Sequence, residues 1–336
     1  TGNDRFEGAQ TGTGNVPYNW DQDGWHTDLG AFALIDATIA ERLSMVAGAR
    51  ADRYEVKVHG TDTNGVYGDA SDSHTAFSYN ASLGYRVAGD VNLYATYATS
   101  QYVELGQGGM VGYDTISSDT WRQDSDLFEV GVKGYLYYRR IFFSAVRYEQ
   151  QKSTFNTLFN SFDRYKSQGY ELEARVAATD RLSFTGAATW QDTKLQNAPF
   201  FLGIPPAALG LDPAQVYGGR FIGVGSAIGF PGPVDAPSPS SLYSLNGTYT
   251  APSGWGVSLG ATHVASFHSG YAEQVLLPSY TVVRGALFFD VGKLHVLVNA
   301  NNLLGEKYYT PQFLFWDSFV SPSVGRTAEV TFSYKW

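Results

Sequence analysis

The sequence predicts an all-β chain folded as an antiparallel up-and-down transmembrane barrel, and three observations carry that prediction. Over residues 326–336, Ala328, Val330, Phe332, Tyr334 and Trp336 alternate with Thr327, Glu329, Thr331, Ser333 and Lys335, which makes a strand with one apolar and one polar face. Short turns and long loops then take turns along the whole chain. A sandwich has no reason to do this, whereas a meandering membrane barrel keeps its turns at one rim and its loops at the other. The strands read as about 9–14 residues long, close to the roughly 9–11 tilted residues that cross a bilayer and longer than the globular mean of about 5–6. A polar parity cannot face hydrocarbon, so it must line the lumen.

Taken in order, alternation predicts strands at residues 26–40 and 43–57. In the second, Leu43, Met45, Ala47 and Ala49 oppose Ser44, Gly48, Arg50 and Asp52. Residues 74–87 give the clearest pattern: Phe77, Tyr79, Ala81, Leu83, Tyr85 and Val87 alternate with Ser78, Asn80, Ser82, Gly84 and Arg86. Strands follow at 91–101, 126–137, 141–152, 165–177, 182–194, 241–249, 255–267, 279–290, 294–302 and 326–336. The count is about 13 by this criterion. Tight turns fall at 41–42, 88–90, 138–140, 178–181, 251–254 and 291–293. Long loops fall at 58–73 (with the turn signal Asn64-Gly65), 102–125, 153–164, 195–240, 268–278 and 303–325.

Composition agrees. The 336 residues include 23 Tyr, 21 Phe and 7 Trp, rings that suit interfaces with one apolar and one wet side. Cys is absent, so there is no thiol nucleophile and no Cys-based metal site. A net charge of −9 argues against a nucleic-acid partner. No apolar run approaches the roughly 18–20 residues of a membrane helix. The mean hydropathy of −0.20 does not oppose a barrel, whose lipid face hides in alternation. The chain reads as one domain over 1–336, with 1–25 as an extracellular loop. The last strand runs inward. An odd count beginning in a loop therefore predicts that further strands lie upstream, and that this is the C-terminal part of a larger barrel.

Several stretches resemble one family. Pro278-Ser279-Tyr280 opens a strand, Asn299-Ala300-Asn301-Asn302-Leu303-Leu304-Gly305-Glu306-Lys307-Tyr308-Tyr309 forms a corner, and Gly325-Arg326-Thr327 leads to the closing strand with its terminal aromatic. Weaker matches are Phe128-Glu129-Val130-Gly131-Val132-Lys133 and Gly169-Tyr170-Glu171-Leu172-Glu173. This resembles the TonB-dependent outer-membrane receptors of the siderophore-receptor type. Leu304-Gly305, Arg284 and Trp336 depart from the family's usual residues. The resemblance implies a barrel of 22 strands around an N-terminal plug, energised by the TonB complex and placed by the barrel-assembly machinery among outer-membrane lipid. It also implies a scarce cargo, usually a ferric siderophore, carried as substrate and not held as a cofactor. Phe332, Tyr334 and Trp336 are then the assembly signal. Arg50, Glu129, Lys133, Glu171, Glu173, Arg175 and Arg284 are expected to face the plug from the lumen. A passive porin or structural barrel is the alternative.

No catalytic constellation stands out, and an enzyme is not expected. His26, His59, His74, His263, His268 and His295 lack zinc-site spacing. Glu171 and Glu173, with Arg175, make a charge ladder on one parity. The loops differ, because clustered rings in them mark interaction sites. Tyr113, Trp121, Phe201, Tyr217, Phe315 and Trp316 are the expected cargo contacts, and Arg220 can meet an anionic chelate.

Overall fold

One continuous antiparallel meander accounts for the alternation. The structure, a computed structural model, describes residues 22–61, 67–104, 111–156, 161–196, 200–203, 226–229, 233–269, 276–312, 319–334 and 336. The strands are β1 (Gln22–Ile39), β2 (Leu43–Thr61), β3 (Tyr67–Ala88), β4 (Asp90–Val103), β5 (Arg122–Leu136), β6 (Ile141–Asn156), β7 (Ser161–Ala177) and β8 (Leu182–Leu195). Short pieces follow at β9 (Phe200–Gly203), β10 (Ser226–Gly229) and β11 (Val234–Asp235). The meander resumes with β12 (Ser241–Thr250) and β13 (Gly256–Val264), is interrupted by β14 (Phe267–His268) and β15 (Leu276–Leu277), and continues with β16 (Tyr280–Val291) and β17 (Leu294–Asn301). After the hairpin β18 (Tyr309–Gln312) and β19 (Phe319–Pro322) it ends with β20 (Thr327–Tyr334). One 14-stranded sheet runs β1-β2-β3-β4-β5-β6-β7-β8-β12-β13-β16-β17-β20, with β11 added beside β8. Those thirteen path strands are the thirteen that alternation predicts, each bonded to its sequence neighbours.

The register assigns faces. Pairs directly opposite one another project to the same side. Arg50 pairs with Ser78, Ser82 with Thr96, Thr96 with Glu129, and Glu129 with Tyr148. Tyr148 pairs with Gly169, Glu173 with Ala187, Ala187 with Ser244, Ser244 with Thr262, and Gly260 with Arg284. With the two-residue period of each strand, Arg50, Glu129, Lys133, Glu171, Glu173, Arg175 and Arg284 all share one face. The opposite face carries Ala47, Leu83, Ala95, Val132, Leu172, Leu245, Leu287 and Phe332.

A row of rings crosses that apolar face near the loop ends of the strands. Tyr79 and Tyr97 lie 6.0 Å apart between centroids, and Tyr97 pairs with Phe128. Tyr170 pairs with Trp190, Trp190 meets Tyr243 at 5.6 Å, and Tyr243 stacks on His263 at 6.0 Å. Beyond the row the same face turns polar, with Arg53, Glu55, Asp126, Glu149, Lys166, Asp192 and Lys194. Lys166 bridges to Glu149 at 2.7 Å. Such a row is how a barrel marks the boundary between hydrocarbon and water.

The strands overrun the sequence expectation on the loop side. β2 has 19 residues and β3 has 22, so residues 58–61 and 67–73 are strand where a loop was expected. β1 likewise takes in 22–25. Parts of 102–125, 153–164, 195–240, 268–278 and 303–325 also hold strand, and 102–125 adds a helix, α1 (Tyr113–Ser117). At the other rim the turns are tight, and Gly89 (φ 50) and Gly292 (φ 63) take left-handed conformations that suit glycine. No helix among the described residues is long and apolar enough to cross a membrane.

Candidate functional site: the barrel mouth and the charged face

The polar face carries charge in two forms. Arg50 grips both oxygens of the buried Asp52 carboxylate, Nε to Oδ2 at 2.8 Å and Nη2 to Oδ1 at 2.6 Å. Arg175 Nε holds Glu173 Oε1 at 2.6 Å, and its guanidinium lies 5.5 Å from the Phe142 ring centroid. Lys133 sits 4.6 Å from the centre of the Tyr94 ring, and Arg284 donates to Thr262 Oγ1 at 3.0 Å. Glu129, Lys133, Glu171 and Arg284 form no ion pair among the described residues. Opposite charges on one face can meet the outside of a separate polar body.

Above the aromatic row, the parity that carried Arg50 and Asp52 becomes apolar. Tyr54, Val56 and Val58 on β2, with Ala70 and Ala76 on β3, form a buried cluster with Val111, Ile116 and Trp121. Residues 111–121, which include α1, thus fold back onto the same face as the charged seven. Trp121 is 0 % exposed and its Nε1–H donates to Asp72 Oδ2 at 3.0 Å. The Glu104 amide donates to the Trp121 carbonyl at 2.8 Å, and Arg122 pairs with Asp119. The ring of Tyr113 lies against Gly68, and its amide donates to Gln22 Oε1 at 3.3 Å. Nearby, Tyr102 donates to the Ser153 carbonyl at 2.7 Å, and Lys152 stands 5.2 Å from its ring centre. Burial first, then Glu104 and Asp124, push the Tyr102 phenol up to about 12. Burial also raises the Tyr54 phenol.

The expected cargo contacts therefore divide. Trp121, expected as a direct contact, is enclosed in the cluster and presents no open surface. Tyr113 is half-buried at the edge of the same cluster. Phe201 lies on β9, opposite Ile228 of β10. Tyr217, Arg220, Phe315 and Trp316 lie outside the described residues. Sequence reasoning missed the cluster itself. The signal was present in β2, where Arg53, Glu55 and Lys57 took over the formerly apolar parity while Tyr54, Val56 and Val58 took over the polar one.

At the other end of the sheet, the three motifs near the C-terminus meet. Tyr280 stacks on Tyr308 at 4.2 Å. The Asn302 side chain donates to the Glu306 carbonyl and accepts from the Glu306 amide, both at 2.8 Å. Arg326 Nη2 donates to the Leu304 carbonyl at 3.1 Å. Gly305 has φ 70, a left-handed conformation that favours glycine, and a Cβ there would lie 2.9 Å from Arg326 Nε, so the guanidinium would have to shift. On β20, Phe332 and Tyr334 stand on the apolar face, 67 % and 55 % exposed, and the Trp336 ring lies 5.5 Å from Tyr334. No group of His, Asp or Glu among the described residues is arranged to hold a metal ion.

Comparison with known proteins gives a consistent result. A ferrioxamine receptor of Yersinia enterocolitica is 26 % identical over 164 residues, covering 46 % of this chain and 19 % of that receptor. The siderophore receptor PiuA of Acinetobacter baumannii superposes with a TM-score of 0.73 at 16 % identity, over 94 % of this chain and 44 % of its own. The ferric citrate transporter FecA in its unliganded form gives 0.70 at 14 % identity, over 98 % and 48 %. The chain thus spans less than half of each of these relatives, and at such identities the solved structures establish the fold. Membership in the family implies the bacterial outer membrane. Residues 1–303 match the family described as TonB dependent receptor-like, beta-barrel, and to that family the chain belongs.

Proposed function

We propose that this barrel serves an outer-membrane receptor that binds a ferric siderophore and imports it with energy delivered through TonB. Family membership carries the proposal, and the relatives named above are siderophore or ferric-chelate receptors. The charged face supports it. Glu129, Lys133, Glu171 and Arg284, without ion-pair partners among the described residues, are proposed to face a plug, as are Arg50, Glu173 and Arg175 on the same face. Phe201, Tyr217, Arg220, Phe315 and Trp316 are proposed to contact the chelate, the rings covering its apolar surface and Arg220 its charge. Phe332, Tyr334 and Trp336 are proposed as the signal read by the assembly machinery.

The test uses the full-length receptor in whole cells. Binding and uptake of radio-iron as ferrioxamine are measured in energised and de-energised cells, for the unaltered receptor, for Phe315→Ala with Trp316→Ala, and for Arg220→Ala. Loss of a buried ring at a ligand interface costs on the order of 2 kcal/mol, roughly a 30-fold weakening. Unchanged affinity at normal surface expression would return these loops to packing. Uptake that ignores de-energisation would favour a passive porin.

A further inference from the structure

We infer that the segment 111–121 is a fixed wall of the mouth, and that the Trp121–Asp72 pair holds it there and thereby determines which chelates the receptor admits. The inference rests on the uptake reading above. Its physical basis is independent of that reading. An extracellular connection in water gains nothing by burying a tryptophan unless the connection is meant to stay in one place. Here Trp121 is 0 % exposed, with Val56 at 2 % and Val58 at 1 % beneath it. Those valines occupy the face that lower down carries Arg50 and the other charged residues, so the segment narrows the opening from the β2–β3 side.

The indole N–H would be an orphan in such a cluster without an acceptor. Asp72 Oδ2 supplies it at 3.0 Å, and the other oxygen, Oδ1, accepts the Ser73 amide at 2.7 Å. Both ends of the segment are tied as well, the Tyr113 amide to Gln22 Oε1 and the Trp121 carbonyl to the Glu104 amide. What the segment leaves open is polar: Ser117, Ser118 and Asp119 are exposed. A wall of this kind has a defined position, so it discriminates by size and shape, as rigid, pre-organised surfaces do. Trp121 acts through the position of the segment and makes no contact with cargo.

The experiment joins an accessibility readout to a selectivity readout in the full-length receptor on whole cells. Ala76, 1 % exposed beneath the segment, is replaced in Ala76→Cys and probed with a maleimide, the labelled peptide being read by mass spectrometry. Ser117→Cys on the open side is the positive control. The probes for binding are ferrioxamine B, ferric citrate and ferripyoverdine. Trp121→Ala and Asp72→Ala are expected to expose the cysteine at position 76. They should also speed dissociation of the bound chelate about 10-fold, and allow binding of a chelate that the unaltered receptor rejects. Asp72→Asn keeps an acceptor for the indole and should behave as the unaltered receptor does. Labelling that stays low in both alanine variants would overturn the holding role of the pair. Labelling that rises while the chelate profile stays the same would overturn the selectivity role. An unaltered receptor that binds none of the three chelates would count against the uptake reading and remove the selectivity claim with it, while the labelling arm still reports whether the segment is docked.

Discussion

Asn302 adopts a left-handed backbone (φ 53), a conformation that asparagine tolerates better than most residues because its side chain bonds locally. Here it bonds to both the amide and the carbonyl of Glu306. Asn302→Ala loses two hydrogen bonds of about 1 kcal/mol each, and Gly305→Ala forces a Cβ into a left-handed position at about 1–2 kcal/mol. Both variants of the full-length receptor should lower the temperature at which its gel mobility shifts from folded to unfolded. An unchanged midpoint would mean that the corner is not where stability resides. Tyr102 makes a separate prediction. Because its folded pKa is raised above 10.0 to about 12, the folded state keeps a proton that the unfolded chain gives up. That contribution is complete below about pH 10 and is lost as pH climbs toward 12. Tyr102→Phe should therefore flatten the alkaline end of the stability profile, measured by tryptophan fluorescence between those limits. Residue roles were the least legible part of the sequence. Trp121 in a polar loop looks like an exposed ring, and only the partner strands, some fifty residues earlier, enclose it.

At the scale of the strand, legibility depended on the surroundings. Within the bilayer one side of a strand meets lipid and the other meets water, so alternation is strict, and all thirteen path strands could be read from it. Above the bilayer both sides can be wet, the apolar signal fades, and residues 58–61, 67–73 and 122–125 resemble loop although their backbones pair. The faces can be tested directly. Leu245→Arg on the apolar face should cost about 2–4 kcal/mol if it lies near the middle of the membrane. Its neighbour Ser244→Arg, on the polar face, should cost far less. The yield of folded, heat-modifiable receptor in the outer membrane gives the comparison, and equal losses would mean that the faces are reversed.

For the whole molecule, β1 and β20 each pair with a neighbour on one side only in the described sheet. Unpaired strand edges cannot face hydrocarbon. This 336-residue chain, refolded alone in detergent, is expected to form oligomers or aggregates, as read by size-exclusion chromatography. A monodisperse heat-modifiable monomer would show that the edges are satisfied in some other way. The corner that joins Tyr280, Asn302, Tyr308 and Arg326 has a consequence for time as well as for strength. Its contacts join residues 4 to 22 positions apart at Asn302–Glu306 and Leu304–Arg326, and loop-closure cost grows only slowly with length, so bringing them together needs no contact with distant strands. The corner can therefore order without waiting for distant strands, and it lies next to β20, which bears Phe332 and Tyr334. A corner formed in this way gives the closing strand an ordered neighbour, β17, that does not depend on the pairing of the strands further upstream.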